Sequence, residues 1–485
     1  MLFYIFLLLI SALFIYKFKI KSYWKSKNVK EVSGMLWDFM FGHRSLSEFY
    51  KQVYDENDDV VGVCLGSQPL LVLKDLEDVH AVLAGDFQSF YSRGIIMNEE
   101  DTLANNTLLL NDFKKWKCIR QKLSPLFTSS KLKNMFYIMD KCARDFVDIL
   151  KEDEMSNMSF DTLCVYTTSS IGAAVFGITS NTMNSPFIEM TRQSIHPSLK
   201  FHLRFAFGNL FPKLFKKFNI KFFEEHEEFL VGFVKRVLEK RRNDPNKRHD
   251  FIDLCIELQN QGLMQDPATN YTLEPTDELL AAQAFSFFLA GVDTSATALH
   301  FILLELASHQ KILAKVHKEI DSVFENGKEE LMYNDVEKLV YLDMVMSEVI
   351  RKYPPIGMIQ RVCTKTTVLP ASKVTIEKGF GVVVPIFAIH RDEKYFPNPE
   401  DFDPERFAPE NLTKIQKFSY LPFGEGNRVC IGSRFARLQV KAAVAWLLHR
   451  FTLDEQVYKP KSFDKSPFGI RDPNAKFKLR PRSVE

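Results

Sequence analysis

The chain has no Cys-x-x-Cys pair. Its seven cysteines, at positions 64, 118, 142, 164, 255, 363 and 430, are scattered singly over 485 residues. That odd, dispersed set argues against a disulfide framework or a zinc knuckle and for a reducing compartment. Net charge is also nearly absent: 63 Lys plus Arg against 61 Asp plus Glu leave +2, so no excess field marks nucleic acid as the partner. No Gly-x-Gly-x-x-Gly string lies between a strand and a helix, which leaves no site for a built-in nucleotide or flavin. Internal repeats of 20–50 residues and Gly/Ser- or Pro-rich linkers are missing too, so the body reads as one unit. No proline precedes Pro69.

What the chain has is apolar and aromatic. Hydrophobic residues make up 46% and charged residues 26%, the balance of a folded protein with a large core. Phenylalanine dominates the aromatics, 44 Phe against 15 Tyr and 4 Trp. These rings carry no polar handle, so the interior is expected to suit apolar ligands. Residues 1–16 (MLFYIFLLLISALFIY) form an apolar run, followed over 17–30 by six lysines before the first acid, Glu31. Sixteen residues reach about 24 Å, short of a ~30 Å hydrocarbon core, and snorkelling lysines extend the span. A signal anchor, a cleaved signal peptide and a core helix all compete for this run. The lack of a positive leading segment and of a small-x-small cleavage site favours the anchor. The lysines behind it place the rest of the chain in the cytosol.

Helical spacing of apolar residues predicts helices over 113–150, 157–176, 222–242 and 277–309, and short strands are expected near 60–74, 364–378 and 379–388. The expected class is mainly α with a small β portion. Residues 392–430, rich in Pro, Asp, Asn and Gly, predict a long ordered meander. The Phe-rich stretch 197–223 reads as two amphipathic helices, part of whose surface is a candidate for dipping into lipid.

Four patterns carry chemistry. In FGEGNRVCIG (423–432) a single thiol, Cys430, sits in a glycine-bearing loop at a helix entrance, where N–H groups and the helix dipole favour a thiolate. One thiolate cannot build a zinc site, but it suffices as the single axial protein ligand of a haem. Phe423 is placed to shield the sulfur and Arg428 to pair with a propionate, while Gly426 and Gly432 let backbone approach a flat macrocycle. The second pattern, AGVDTS (290–295), puts Asp293 and Thr294 midway along an apolar helix. Thr294 is expected to bond back to the Ala290 carbonyl, with Gly291 letting the helix open into a notch. The adjacent acid and alcohol form a candidate proton path. Third, Glu348 and Arg351 share a helix face at i,i+3. Fourth, Trp116 and Arg120 lie on a basic amphipathic helix.

With these residues the chain resembles the cytochrome P-450 superfamily, the haem-thiolate monooxygenases. Further runs at 89–101, 122–135, 361–366 and 388–407 look most like its insect microsomal detoxifying members. The resemblance implies about a dozen helices around a buried haem b, with Cys430 as the proximal iron ligand. It implies that Asp293 and Thr294 serve oxygen activation. Glu348, Arg351 and Arg406 (in PERF, 404–407) would form a buried cluster behind the haem, and Trp116, Arg120, Arg361 and Arg428 would hold its propionates. Phe287, Ala290, Met358 and Phe468 are the implied pocket residues. Residues 1–16 would be the membrane anchor, 17–30 a basic linker and 31–485 the catalytic domain, in the endoplasmic reticulum membrane. NADPH electrons would come through NADPH-cytochrome P-450 reductase, with cytochrome b5 as a second candidate donor. Lysines 114, 115, 117 and 122 with Arg434, Arg437 and Lys441 are the candidate docking face. Ser295 departs from a common second Thr, and the absent Pro-rich hinge departs from microsomal relatives. Rival readings are a haem-thiolate isomerase or dehydratase, which needs no O2, and a membrane-attached haem carrier.

Overall fold

Apolar residues spaced for a helix dominate the chain, and the computed structural model follows them. It describes residues 23–482 apart from 36–37, 39–43, 66–67, 96–97, 108–110, 179–185, 196–197 and 465–468. The apolar run 1–16 and Phe468 lie outside the described residues.

The longest helix, Asp277–Ser308, starts where the Thr276 side chain accepts the Leu279 N–H and where Asp277 and Glu278 meet the positive end of the dipole. It is apolar and long enough to cross a bilayer, but it is packed inside the protein. Its closest companion is the Phe160–Phe176 helix, which ends at Gly177 with φ +65°. The two approach tightly at Gly291, where an added Cβ would lie 2.5 Å from Ile171 Cδ1. Gly291 therefore serves helix–helix packing. The helix runs unbroken through it, so the expected notch is not present.

The predicted 113–150 helix is two helices, Phe113–Leu123 and Ser129–Asp148, joined by a 3-10 turn at Ser124–Phe127. Pro125, without an N–H, prevents continuous α-helix there. Five strands form the main sheet: β1 (Lys30–Glu31), β2 (Val61–Leu65), β3 (Gln68–Val72), β4 (Ile359–Val362) and β5 (Gly381–Val384), in the order β1-β2-β3-β5-β4. Pro385 ends β5, and the chain turns into a short helix at Ile386–Ile389, so the strand-like run 379–388 is strand only in part. The meander is ordered around buried Phe396, Phe402, Phe407 and Leu421. The 197–223 stretch forms two helices, Leu199–Leu210 and Pro212–Lys217.

Candidate active site

The cysteine loop is closed by its own backbone: the Cys430 N–H donates to the Phe423 carbonyl at 2.9 Å, and the Val429 N–H to that of Gly426 at 3.0 Å. Gly426 sits at φ +74°, and a Cβ there would fall on the Leu83 carbonyl oxygen of the π-helical turn Ala81–Gly85. Its lack of a side chain thus serves close packing on that turn. Gly426→Ala is expected to lower the thermal midpoint and the haem content of purified protein, with backbone strain alone costing about 1–3 kcal/mol. An unchanged midpoint would contradict this. Gly432 is uncrowded, its nearest prospective neighbour being Phe127 Cε1 at 3.9 Å, and it precedes the Ser433–Arg450 helix.

Cys430 is the one exposed thiol among the seven cysteines, all of them unpaired. Burial nevertheless pushes its pKa up, against the opposing pull of the Gly432 N–H and the charges of Arg120 and Arg93. The sulfur is thus accessible at its surface yet surrounded by enough protein to disfavour its anion. A coordinated metal ion would add the stabilisation of the sulfur anion that burial opposes.

Four arginines gather beside this sulfur. Arg120, one turn after Trp116 on Phe113–Leu123, donates to the Val429 carbonyl at 2.8 Å. Arg428 is buried and stacks over the Trp116 ring at 3.9 Å. Arg361 is placed by β4. Arg93, which no motif had marked, is placed by the Ser92–Val362 bridge beside it. Burial and mutual repulsion push Arg428 down to about 8. Burial and the charge of Arg93 push Arg361 down to about 9. Among the described residues, the Nε atoms of Arg93 and Arg361 have no hydrogen-bond partner. Clustered guanidiniums of this kind call for anions. A haem would fit both sulfur and cations: its iron would be held by the Cys430 sulfur and its two propionates by the cations.

Within the long helix, Ala290 is exposed while most of its neighbours are buried, and Asp293 and Thr294 are part-open. Thr294 Oγ1 donates to the Ala290 carbonyl at 2.6 Å, as expected. Phe127 links this helix to the cysteine loop: it is the nearest neighbour of Gly432, and its ring meets that of Phe287 at 5.3 Å. Phe287 is buried, its ring in contact with those of Phe127 and Phe251. Met358 is half-buried and packs against the apolar cluster under the sheet. Ser295 is buried, with its hydroxyl 3.4 Å from Gln439 Oε1 on the cysteine helix.

Glu348 and Arg351 are fully buried and paired bidentately, Nε to Oε2 at 2.7 Å and Nη2 to Oε1 at 2.9 Å. The Asp403 N–H donates to the same Oε1 at 3.0 Å. Arg406 Nε lies 3.4 Å from Glu348, near enough for charge attraction but misaimed for a hydrogen bond. Arg351 also staples the meander, donating to the carbonyls of His390 and Pro399, each at 2.7 Å. His390, unmarked by sequence, completes the cluster. Its Nδ1 faces the Arg351 carbonyl at 3.0 Å, and its Nε2 accepts the Leu421 N–H at 2.8 Å, just ahead of the cysteine loop.

Burial, with the charge of Arg351, pushes His390 down to about 3 from an ordinary 6.5. A histidine held neutral when folded binds its proton first in the unfolded chain. Its stabilising contribution is therefore complete above pH 6.5 and falls by about 1.4 kcal/mol per pH unit below it. His390→Gln, which keeps a donor and an acceptor but cannot titrate, is expected to flatten the loss of stability between pH 6.5 and 5 in denaturant titrations. An identical acid slope would refute the assignment.

The candidate docking face is only partly free. Arg437 and Lys441 approach Asp343, at 3.1 and 3.8 Å, and Lys117 pairs with Asp266 at 3.1 Å. Lys115 donates to the Asn105 carbonyl at 3.2 Å. Lys114 and Arg434 are exposed.

A family model described as Cytochrome P450 matches residues 30–479. Cytochrome P450 6j1 of Blattella germanica is 33% identical, covering 93% of this chain and 91% of its own length. Cytochrome P450 6B7 of Helicoverpa armigera is 31% identical, covering 95% and 93%. Probable cytochrome P450 6a21 of Drosophila melanogaster is 34% identical, covering 88% and 87%. An open thiol ringed by arginines, an acid–alcohol pair on a core helix and likeness along nearly the whole chain converge on one conclusion: this chain belongs to the cytochrome P450 family and is a P450 monooxygenase with a haem iron cofactor.

Proposed function

We propose that the chain inserts one oxygen atom from O2 into apolar small molecules, foreign compounds or endogenous lipids and steroids, using NADPH electrons passed on by a separate reductase. The observation that carries this reading is the open Cys430 sulfur beside Arg93, Arg120, Arg361 and Arg428, on the helix bundle that bears Asp293 and Thr294. Haem b would be held by Cys430 through iron and by the arginines and Trp116 through its propionates; when bound it supplies the redox centre for oxygen. The protein's own part is positioning and proton supply. Thr294 presents a hydroxyl anchored on the Ala290 carbonyl, and Asp293 stands next to it as the acid that exchanges protons. The residues proposed to meet an apolar substrate, Phe287, Ala290 and Met358, carry no charge.

Attachment to the endoplasmic reticulum membrane through residues 1–16, with 17–30 as linker and 31–485 as catalytic domain, is part of the same proposal. Exposed Leu203, Leu214 and Phe218 beside exposed Lys213, Lys216 and Lys217 support a second contact with lipid. Lys114 and Arg434 remain available to an acidic donor, the reductase or cytochrome b5. The test is NADPH oxidation by the membrane-bound protein with added reductase, O2 and a panel of apolar compounds. Products gaining one oxygen, formed only with NADPH, support the reading. Turnover without NADPH or O2 would replace it with a haem-thiolate isomerase or dehydratase.

A further inference from the structure

Asp293 does not stand alone. Arg471, from the C-terminal segment, is buried to 2% exposure and reaches the long helix, its Nη1 3.3 Å from Asp293 Oδ1. Its Nη2 donates to Asp464 at 2.8 Å, and its guanidinium lies 5.9 Å from the Phe160 ring. The two carboxylates are about a third exposed at the side chain, whereas the arginine between them is sealed. A buried guanidinium must be matched by negative charge, and here the matching groups are these two acids. Among the described residues, Cys164 and Asp161 on the Phe160–Phe176 helix also face this spot. His300, farther along the long helix, bonds to the Ala475 carbonyl, and burial holds it neutral.

We infer that Arg471 is a positioning residue for proton supply: it holds Asp293 as an aimed carboxylate, and Asp464 sets how tightly. The inference rests on the proposed role of Asp293. In coupled turnover, O2, NADPH, H+ and substrate RH give ROH, water and NADP+; when protons arrive wrongly, O2, NADPH and H+ give hydrogen peroxide and NADP+. Arg471 therefore acts on the partition between these outcomes and on its pH dependence. Removing a neighbouring cation raises a carboxyl pKa by about one unit or more, so the limb of the pH profile that reports Asp293 moves upward.

The experiment uses the haem-loaded, membrane-bound protein with reductase. Product and peroxide per NADPH are measured from pH 6 to 8.5 for the parent, Arg471→Gln, Arg471→Lys, Asp464→Asn, Asp293→Asn and Asp293→Asn/Arg471→Gln. Difference infrared spectra identify the Asp293 carboxyl band as the one lost in Asp293→Asn. The expected result is an upward shift of the limb by at least about half a unit in Arg471→Gln, with the infrared titration moving alongside. A smaller shift is expected in Arg471→Lys, which retains the charge if the glutamine variant folds poorly, and none beyond the single variant in the double variant. If Asp293→Asn leaves partition unchanged, the role of Asp293 itself falls. If Asp293→Asn alters it while both Arg471 variants superimpose on the parent, or if Arg471→Gln acts equally without Asp293, the positioning role of Arg471 is overturned.

Discussion

Arg351→Ala is expected to yield protein that folds poorly and purifies with little haem. Arg351 and Glu348 are both at 0% exposure, and the arginine is the carboxylate's bidentate partner. Its removal leaves Glu348 with one backbone N–H, from Asp403, and a misaimed Arg406. It also strips a donor from the carbonyls of His390 and Pro399. Breaking a buried pair typically costs about 3–5 kcal/mol, a large part of the ~5–15 kcal/mol that holds a folded protein together. The damage should spread to the cysteine loop, because His390 connects Arg351 to Leu421. Haem-to-protein ratio and thermal midpoint measure the effect. Arg351→Lys should recover only part of it, since an ammonium cannot reproduce the two-pronged contact. Full haem content in Arg351→Ala would show that the cluster does not support the loop.

Thr294→Ala should leave the fold intact and divert the chemistry. The hydroxyl bonds only to the Ala290 carbonyl of its own helix, and alanine is a good helix former, so the long helix stands without it. Loss of a positioned proton donor commonly costs about 10²–10⁴-fold in the step it serves. Product formation should fall on that scale while NADPH is still consumed and its electrons leave as hydrogen peroxide. Thr294→Ser should retain much of the yield. Measuring product, NADPH and peroxide together decides the matter, and an undiminished product yield in Thr294→Ala would remove Thr294 from proton delivery.

The residues legible in the sequence are those whose neighbours in space are neighbours in the chain. Cys430 was marked by its own ten-residue loop, Thr294 by the Ala290 carbonyl one turn back, and Glu348 with Arg351 by i,i+3 spacing; each of these local contacts is formed. The main helices followed apolar periodicity for the same reason, and their errors came from single residues such as Pro125 and Pro385, which divide otherwise continuous patterns. The residues missed act across long separations. Arg93 joins the site through the bridge of neighbouring Ser92 to Val362, His390 through Arg351, and Arg471 through a helix residue 178 positions earlier. Close packing at glycines is illegible where it depends on a distant partner: Gly426 meets Leu83 and Gly291 meets Ile171. The basic face was overcounted because Asp343 and Asp266, which engage three of its cations, are contributed from elsewhere in the chain. No spacing rule reports such pairings.

The central claim is that Cys430 binds haem iron through its sulfur. Its most direct test is the difference spectrum of the reduced, purified protein with and without carbon monoxide. Thiolate ligation predicts a Soret band displaced far to the red, which disappears in Cys430→Ala. A band at the position of imidazole- or water-ligated haem in the parent protein, or a spectrum unchanged by Cys430→Ala, would contradict the account.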